Sequence, residues 1–155
     1  MVRLACELAG AHGATLFLVD GPILLPYVIY NLSKGYVDGI GTVRVGTQCC
    51  GRAVAYKKPW IVTDMLADPL FTDGRKVAVD SPIRAAFSVP VLTDGEAIGS
   101  LACHFLTPHT PSTIDIERNQ VFANLISIAL RGRVRTPVPE PYFAWPDLAH
   151  APAGD

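Results

Sequence analysis

Apolar residues alternate with small or polar residues through positions 83–105, on both sides of an Asp94-Gly95 pair. Asp-Gly is favoured in a two-residue type I′ hairpin turn, because both of its central residues take positive φ. Successive strand residues point to opposite faces, so each strand presents one apolar face and one face of small or polar residues. The apolar set is Ala85, Phe87, Val89, Val91, Leu101, Cys103 and Phe105, and the other set is Arg84, Ala86, Ser88, Ser100, Ala102 and His104. The pattern predicts a central sheet with helices on one side and a pocket on the other.

Further elements are predicted on both sides of this hairpin. In chain order they are a helix over residues 2–12, a strand over 14–19, an apolar segment over 23–32, a strand over 42–45, a helix over 48–56 with Thr47 as N-cap, and a strand over 60–62. Pro26 in this apolar segment and Pro22 just before it favour an irregular or edge strand. Residues 65–82 have mixed polarity and several turn signals, which predicts a long loop that acts as a lid.

A long helix is predicted to begin after Ser112. Asp115 lies three residues beyond this serine, as in a capping box, and Gly132 is the predicted stop. The predicted core-facing stripe is Phe122, Leu125, Ile126 and Ala129. Other apolar residues lie around the same helix, which indicates burial on two sides, against the sheet and against a second subunit.

Composition and charge exclude several classes of protein. The chain has 155 residues, is 50% hydrophobic and only 17% charged, and carries a net charge of −1. It has no basic stripe for nucleic acid, no apolar run long enough to span a membrane and no convincing signal peptide, so a cytoplasmic location is expected. The four cysteines have neither a disulfide-framework nor a zinc-type spacing, and reduced thiols are expected.

Short motifs resemble those of GAF domains in bacterial sensor kinases and cyclic-dinucleotide turnover proteins. They occur in the family's order and cover residues 2–131. They are CGRAVA at 50–55, PWIVTD at 59–64, DPLF at 68–71, IRA at 83–85 leading into SVPV at 88–91, DG at 94–95, GSL at 99–101, and Pro108 and Pro111-Ser112 before the long helix.

The resemblance implies an α+β fold with a six-stranded antiparallel sheet. Its terminal helices would cover one face, and a ligand pocket would lie on the other face under loops and a short helix. The domain would span residues 1–132, followed by a proline-rich C-terminal tail over 133–155. Members of the family bind cyclic nucleotides, bilins, haem, amino acids or other metabolites, and many dimerise through terminal helices.

A sensory or regulatory module in signal transduction, without catalytic activity, is therefore expected. Its partners would be an unidentified small molecule, a second copy through the terminal helices and a separate output protein. A thiol-based redox enzyme is one alternative, because a related branch reduces free methionine sulfoxide and has a cysteine before Gly-x-Ala, as at Cys50. That branch also uses cysteines in the segment equivalent to residues 65–82, where this chain has none. A dimerisation domain without a ligand is the second alternative.

The sequence does not identify a cofactor. Cys49 and Cys50 lie at a helix start, where a thiol pKa can fall, although burial as small apolar residues is the more common role. The neighbours Cys103 and His104 point to opposite faces of a strand, so they cannot readily chelate one metal, and no metal site is predicted. The chromophore motif that a bilin needs is missing, and a haem ligand from His104 is a minor alternative.

Pocket candidates come from the polar face of the hairpin and from neighbouring segments. Arg84 would attract an anionic ligand if it faces the pocket. A role in a surface ion pair explains this arginine equally well. Asp64 is equally well explained as a turn former, and core packing is favoured over pocket lining for the aromatic candidates. The candidates are Phe17, Tyr30, Cys50, Asp64, Phe71, Arg84, Ala86, Ser88, Ser100 and His104.

Overall fold

The computed structural model describes residues 1–71 and 81–131, together with the backbone of Tyr142–Ala144. Its helices are α1 (Val2–Leu8), α2 (Lys34–Ile40), α3 (Gln48–Tyr56) and α4 (Thr113–Leu130). Its strands are β1 (Gly13–Asp20), β2 (Ile23–Tyr30), β3 (Val43–Arg44), β4 (Trp60–Val62), β5 (Ala85–Thr93), β6 (Glu96–Phe105) and β7 (Tyr142–Ala144). The predictions for residues 72–80, for Gly132 and for most of the tail lie outside the described residues.

Six strands form one antiparallel sheet in the order β3-β2-β1-β6-β5-β4. This arrangement confirms the predicted α+β fold. The seventh strand, β7, belongs to the predicted tail and pairs in parallel with Val28–Tyr30 of β2. The structure therefore adds a short parallel strand that the sequence pattern did not predict.

The central hairpin has the predicted geometry. Asp94 and Gly95 have φ of 51° and 81°, as a type I′ turn requires, and Thr93 pairs with Glu96 beside them. Ala86 lies opposite His104, and Ser88 lies opposite Ala102. The apolar set of the hairpin packs against α1 and α4 in the main core, and the small and polar set faces α2 and α3.

Three predictions for the first half of the chain need correction. Helix α1 ends at Leu8 rather than near residue 12, and Gly10, with φ of 62°, redirects the chain. Strand β2 pairs along its length with β1, and Pro26 fits because Tyr27 bulges out of the ladder beside it. The glycine-rich segment contains α2, which was not predicted; Ser33 caps it by accepting a hydrogen bond from the Tyr36 backbone N–H.

Helix α4 begins with the predicted capping box, since Ser112 and Asp115 bond each other's backbone N–H groups. Two of the four residues of the predicted stripe were wrong. Leu125 is 46% exposed and Ala129 is exposed, whereas Ile126 is buried and Phe122 packs against the main core. The buried residues of α4 are Asn119, Ala123, Ile126, Ser127 and Leu130. Asn119 and Ser127 are held there by hydrogen bonds to Cys103, Leu92 and Thr93.

Helix α3 rests directly on the backbone of β3. A Cβ atom on Gly51 would lie 2.0 Å from the Arg44 carbonyl oxygen, closer than any real contact. The same approach brings the Gly46 N–H to within 2.8 Å of the Gly51 carbonyl oxygen. Glycine at position 51 therefore sets how closely α3 lies to the edge of the sheet.

We expect Gly51→Ala to lower the free energy of unfolding by about 2–3 kcal/mol, because α3 must move away from Arg44 to make room for a methyl group. Gly35→Ala in α2 is the matched control, since nothing lies within 4 Å of its Cβ position. The control should be neutral or stabilising by up to about 1 kcal/mol, as alanine favours helix. Urea denaturation measures the free energy of unfolding of both variants. Equal values for the two would contradict the close approach of Gly51 to Arg44.

Candidate functional site

A cavity of about 40 Å³ lies between the sheet and the helices α2 and α3. Phe71 and Met65, from the loop after β4, contribute to its wall. The described residues that line it are Thr15, Phe17, Pro26, Tyr36, Val37, Ile40, Gly41, Val43, Gln48, Cys49, Cys50, Met65, Phe71, Ala86 and His104. The predicted pocket face of the hairpin thus borders a cavity.

The polar centre of this wall is His104 on β6. Its Nε2 lies 3.1 Å from the Thr15 hydroxyl, and its Nδ1 lies 3.3 Å from the Tyr36 hydroxyl. A neutral imidazole has one donor and one acceptor nitrogen, and the two hydroxyls satisfy both. Burial, with a smaller contribution from His12, lowers the pKa of His104 to about 4. The ring is therefore uncharged at neutral pH and does not attract an anion.

Both cysteines at the start of α3 reach the cavity, and both are buried. The Cys49 thiol donates to the Trp60 carbonyl oxygen at 3.3 Å, and burial raises its pKa well above the ordinary value. Burial also raises the pKa of Cys50, although the hydroxyls of Ser100, Ser88 and Thr15 partly offset that rise. Each thiol is therefore protonated at neutral pH, in contrast to the thiolate that a nucleophilic cysteine needs.

The start of α3 lacks the side-chain cap that the sequence predicted. Thr47 is the N-cap residue, but its hydroxyl donates to the Arg44 carbonyl oxygen at 2.9 Å instead of accepting from the helix. Gln48 follows with φ of 50°, a left-handed conformation that costs a residue other than glycine about 1 kcal/mol or more. Its side chain is buried in the cavity wall.

Arg84 and Asp64 do not line the cavity. The Arg84 guanidinium donates to both oxygens of the Asp64 carboxylate, from Nε at 3.2 Å and from Nη2 at 2.8 Å. This pairing, together with the Leu66 N–H, holds the pKa of Asp64 below its ordinary value. The structure favours the ion-pair interpretation of Arg84 and gives Asp64 a role in the loop after β4.

The remaining candidates divide between the two faces of the sheet. Phe17, Cys50, Phe71, Ala86 and His104 line the cavity. Ser88 and Ser100 are buried beside it on the same face; Ser88 donates to the Leu101 carbonyl oxygen at 3.4 Å, and the Ser100 hydroxyl is the group that most offsets the rise in the pKa of Cys50.

Tyr30 was placed wrongly. It packs against the core beneath α1, and its hydroxyl donates to Glu7 at 3.4 Å.

Sequence reasoning missed the residues contributed by α2 and by the first turn of α3. Tyr36, Val37 and Ile40 follow the capping residue Ser33 at helical spacing, a signal that the surrounding glycines obscured. Gln48 and Cys49 were noted only as the start of a helix. Thr15 alternates with the core residues of β1, and that alternation was sufficient to place it on the cavity face.

The sequence matches the family model of the GAF domain over residues 1–130. The chain belongs to the GAF domain family. No sequence among the curated proteins matches it. No helix in the described part of the chain is long and apolar enough to cross a membrane. Within the same residues, no group of three His, Cys, Asp or Glu side chains could hold a metal ion.

Solved structures with a similar fold include sensors and enzymes. A domain of a sensor histidine kinase protein from Sinorhizobium meliloti 1021 has a TM-score of 0.72 at 16% identity, over 85% of this chain and 88% of that chain. The GAF domain of a phosphoenolpyruvate-protein phosphotransferase from Acinetobacter has a TM-score of 0.68 at 13% identity, over 84% and 77%. The type II free methionine-R-sulfoxide reductase of Thermoplasma acidophilum has a TM-score of 0.65 at 15% identity, over 84% of this chain and 95% of that chain. At these sequence identities the similarity shows the fold and nothing more.

We expect the stability of this GAF domain to fall as the pH drops from 6.5 towards 4. In this window the unfolded chain protonates His104, whereas the folded chain, with its pKa lowered to about 4, does not. Stability is therefore full above the unfolded pKa, and about 3 kcal/mol is lost by pH 4. Urea denaturation over this range should show the loss in the wild type and a smaller loss in His104→Gln, which keeps hydrogen-bonding atoms for Thr15 and Tyr36. Identical pH profiles for the wild type and His104→Gln would contradict the assignment of this loss to His104.

Proposed function

We propose that this GAF domain is a small-molecule-binding regulatory module in cytoplasmic signal transduction, with no catalytic activity of its own. The observation that carries the proposal is the cavity of about 40 Å³ on the sheet face opposite α1 and α4. Protein cores are packed to the density of organic crystals, and voids larger than a water molecule are few. A cavity at the site where a pocket was expected supports ligand binding.

The central hairpin offers a route from the cavity to the terminal helices. His104 lines the cavity, and the next residue back along β6, Cys103, faces α4 and donates to Asn119 at 3.4 Å. Cys103 also lies 3.8 Å from the Ala5 carbonyl oxygen of α1. A ligand that shifts His104 thus acts on a strand whose other face contacts both helices. A separate output protein would respond to that change in packing.

The thiol-enzyme alternative has less support. Structural neighbours at low identity include free methionine-R-sulfoxide reductases. Sulfoxide reduction needs a nucleophilic thiolate, and burial raises the pKa of Cys49 and Cys50 here. Among the described residues, no cation offsets that burial at Cys50, and the groups that lower its pKa are neutral hydrogen-bond donors. We therefore favour binding over turnover.

We expect a small molecule to co-purify with the wild type and to be absent from Ala86→Leu, because the longer side chain occupies the cavity that Ala86 lines. Native and denaturing mass spectrometry of the intact chain measures the difference. Ala55→Leu is the matched control: it adds the same atoms at an exposed position on α3 and should keep the ligand. Circular dichroism and thermal unfolding check that both variants fold.

Two outcomes would contradict the proposal. The first is a ligand that stays bound to a folded Ala86→Leu variant, since the molecule would then bind elsewhere. The second is turnover of free methionine sulfoxide with a thiol reductant by the wild type that is lost in Cys50→Ser. That result would favour the enzyme.

Homodimerisation through α4 is a second candidate function, compatible with the first. Ile114, Val121, Leu125 and Ile128 are 60%, 57%, 46% and 64% exposed. Their spacing of seven, four and three residues places them along one side of α4, as in the seam of a coiled coil. Leu4 and Leu8 of α1 are also about half exposed, and Leu8 lies beside α4, where its carbonyl oxygen accepts from Arg118 at 3.1 Å. A second copy would cover this apolar seam.

We expect the wild type to sediment as a dimer and Leu125→Glu to sediment as a monomer, because a charge in the seam must be desolvated when two copies meet. The variant should retain its thermal stability, since Leu125 contributes little to the core. Ala55→Glu, which adds the same charge on the opposite face of the sheet, should remain a dimer. A monomeric wild type at micromolar concentration, or a dimeric Leu125→Glu, would refute this interface.

A further inference from the structure

The side-chain amide of Gln48 is the unexplained polar group of the cavity. Gln48 is only 8% exposed and lines the cavity, and its amide makes no hydrogen bond to any described residue. The amide therefore offers an unpaired donor and an unpaired acceptor at the cavity wall. Gln48 also takes a φ of 50°, which glycine would adopt without strain. An unpaired amide and a strained backbone at one residue of a cavity wall indicate a role in binding.

The described residues that line the cavity carry no charge. None of them is Asp, Glu, Lys or Arg, and the pKa of His104, lowered to about 4, leaves that ring neutral. Arg84 is committed to Asp64 outside this lining. The uncapped start of α3 supplies only the partial charge of a helix end. A carboxylate or phosphate would lose its hydration here without a cation among the described lining residues to replace it, so this part of the wall favours an uncharged ligand.

The volume limits the size of that ligand. A water molecule needs about 10–15 Å³ measured in this way, and the cavity has about 40 Å³. The cavity therefore has room for about three or four non-hydrogen atoms. Most of the surrounding side chains are apolar, among them Phe17, Ile40 and Phe71, whereas Gln48 offers both a donor and an acceptor.

We propose that the cavity binds a small uncharged molecule that carries an amide or alcohol group, and that the Gln48 side-chain amide hydrogen-bonds this group. The proposal deepens the regulatory function proposed above and rests on it. The hydroxyls of Thr15 and Tyr36 are already paired with His104, which leaves Gln48 to provide specificity. Its strained backbone holds the amide at the wall, and the ligand replaces the hydrogen bonds that burial removed.

Acetamide and acetate test the proposal, because they have the same shape and four non-hydrogen atoms each but differ in charge. ¹H–¹⁵N correlation spectra of the full chain follow the titration. Acetamide should give saturable shifts confined to residues around the cavity. A ligand of four atoms binds no tighter than roughly 40 µM even at the highest ligand efficiencies, and we expect a Kd on the order of millimolar. Acetate should bind at least about tenfold more weakly.

Gln48→Gly separates recognition from structure. Glycine relieves the positive φ, so the variant should be at least as stable as the wild type while its acetamide affinity falls about tenfold or more. Lys57→Gly is the matched control: Lys57 also has a positive φ, of 53°, but lies at the other end of α3, and this variant should bind acetamide normally. Gln48→Asn, which tolerates the same backbone and keeps a shorter amide, should bind with intermediate affinity.

The proposal is overturned if acetate binds as tightly as acetamide, if Gln48→Gly binds acetamide like the wild type, or if neither probe binds. These failures are distinct from failure of the regulatory function. A charged co-purifying molecule that Ala86→Leu excludes would refute the uncharged ligand and leave the binding module in place. If neither probe binds and no molecule co-purifies, both the uncharged ligand and the binding module are refuted.

Discussion

The difference in side-chain size between the two faces of the β5–β6 hairpin determines the rest of the structure. Phe87, Val89 and Leu101 fill the space under α1 and α4, whereas Ala86 and Ala102 allow α2 and α3 to approach the other face. The Asp94-Gly95 turn fixes the register, and a slip of one residue would exchange the two faces. The cavity thus depends on a turn at the far end of the hairpin.

The hairpin, α3, β4 and the cap of α4 could be predicted from the sequence because each depends on local chemistry: a turn dipeptide, a proline stop or a capping serine. The orientation of α4 could not be predicted. Hydrophobicity selects Leu125 and Ala129 for the core, but Asn119 and Ser127 are buried because the sheet offers them specific hydrogen-bond partners. Strand alternation correctly placed Ala86 and His104 at the cavity, and Ser88 and Ser100 beside it. It failed for Arg84, which has a closer partner in Asp64, and the aromatic candidate Tyr30 faces α1 instead.

Membership in a family of sensors leaves the chemistry of the ligand open, because the same fold serves unrelated functions. In this chain the decisive features are electrostatic. The described polar side chains that line the cavity are neutral, two hydroxyls satisfy the buried histidine, and Arg84 is held by the Asp64 carboxylate outside the lining. Such a wall rejects charged ligands because removing their charge from water is unfavourable, and it does not select a ligand by electrostatic attraction. Relatives with the same fold and a cation in the wall would select different ligands.

The burial of all four cysteines has a practical consequence for spectroscopy on this domain. Cys6, Cys49, Cys50 and Cys103 are each at most 6% exposed, and burial raises the pKa of every one of them. Maleimide and methanethiosulfonate reagents attack thiolates that solvent can reach. A cysteine introduced on the surface would therefore take a fluorophore or a spin label selectively, with the native thiols left in place. Distance changes between labels on α3 and α4 could then be followed in the otherwise unaltered chain.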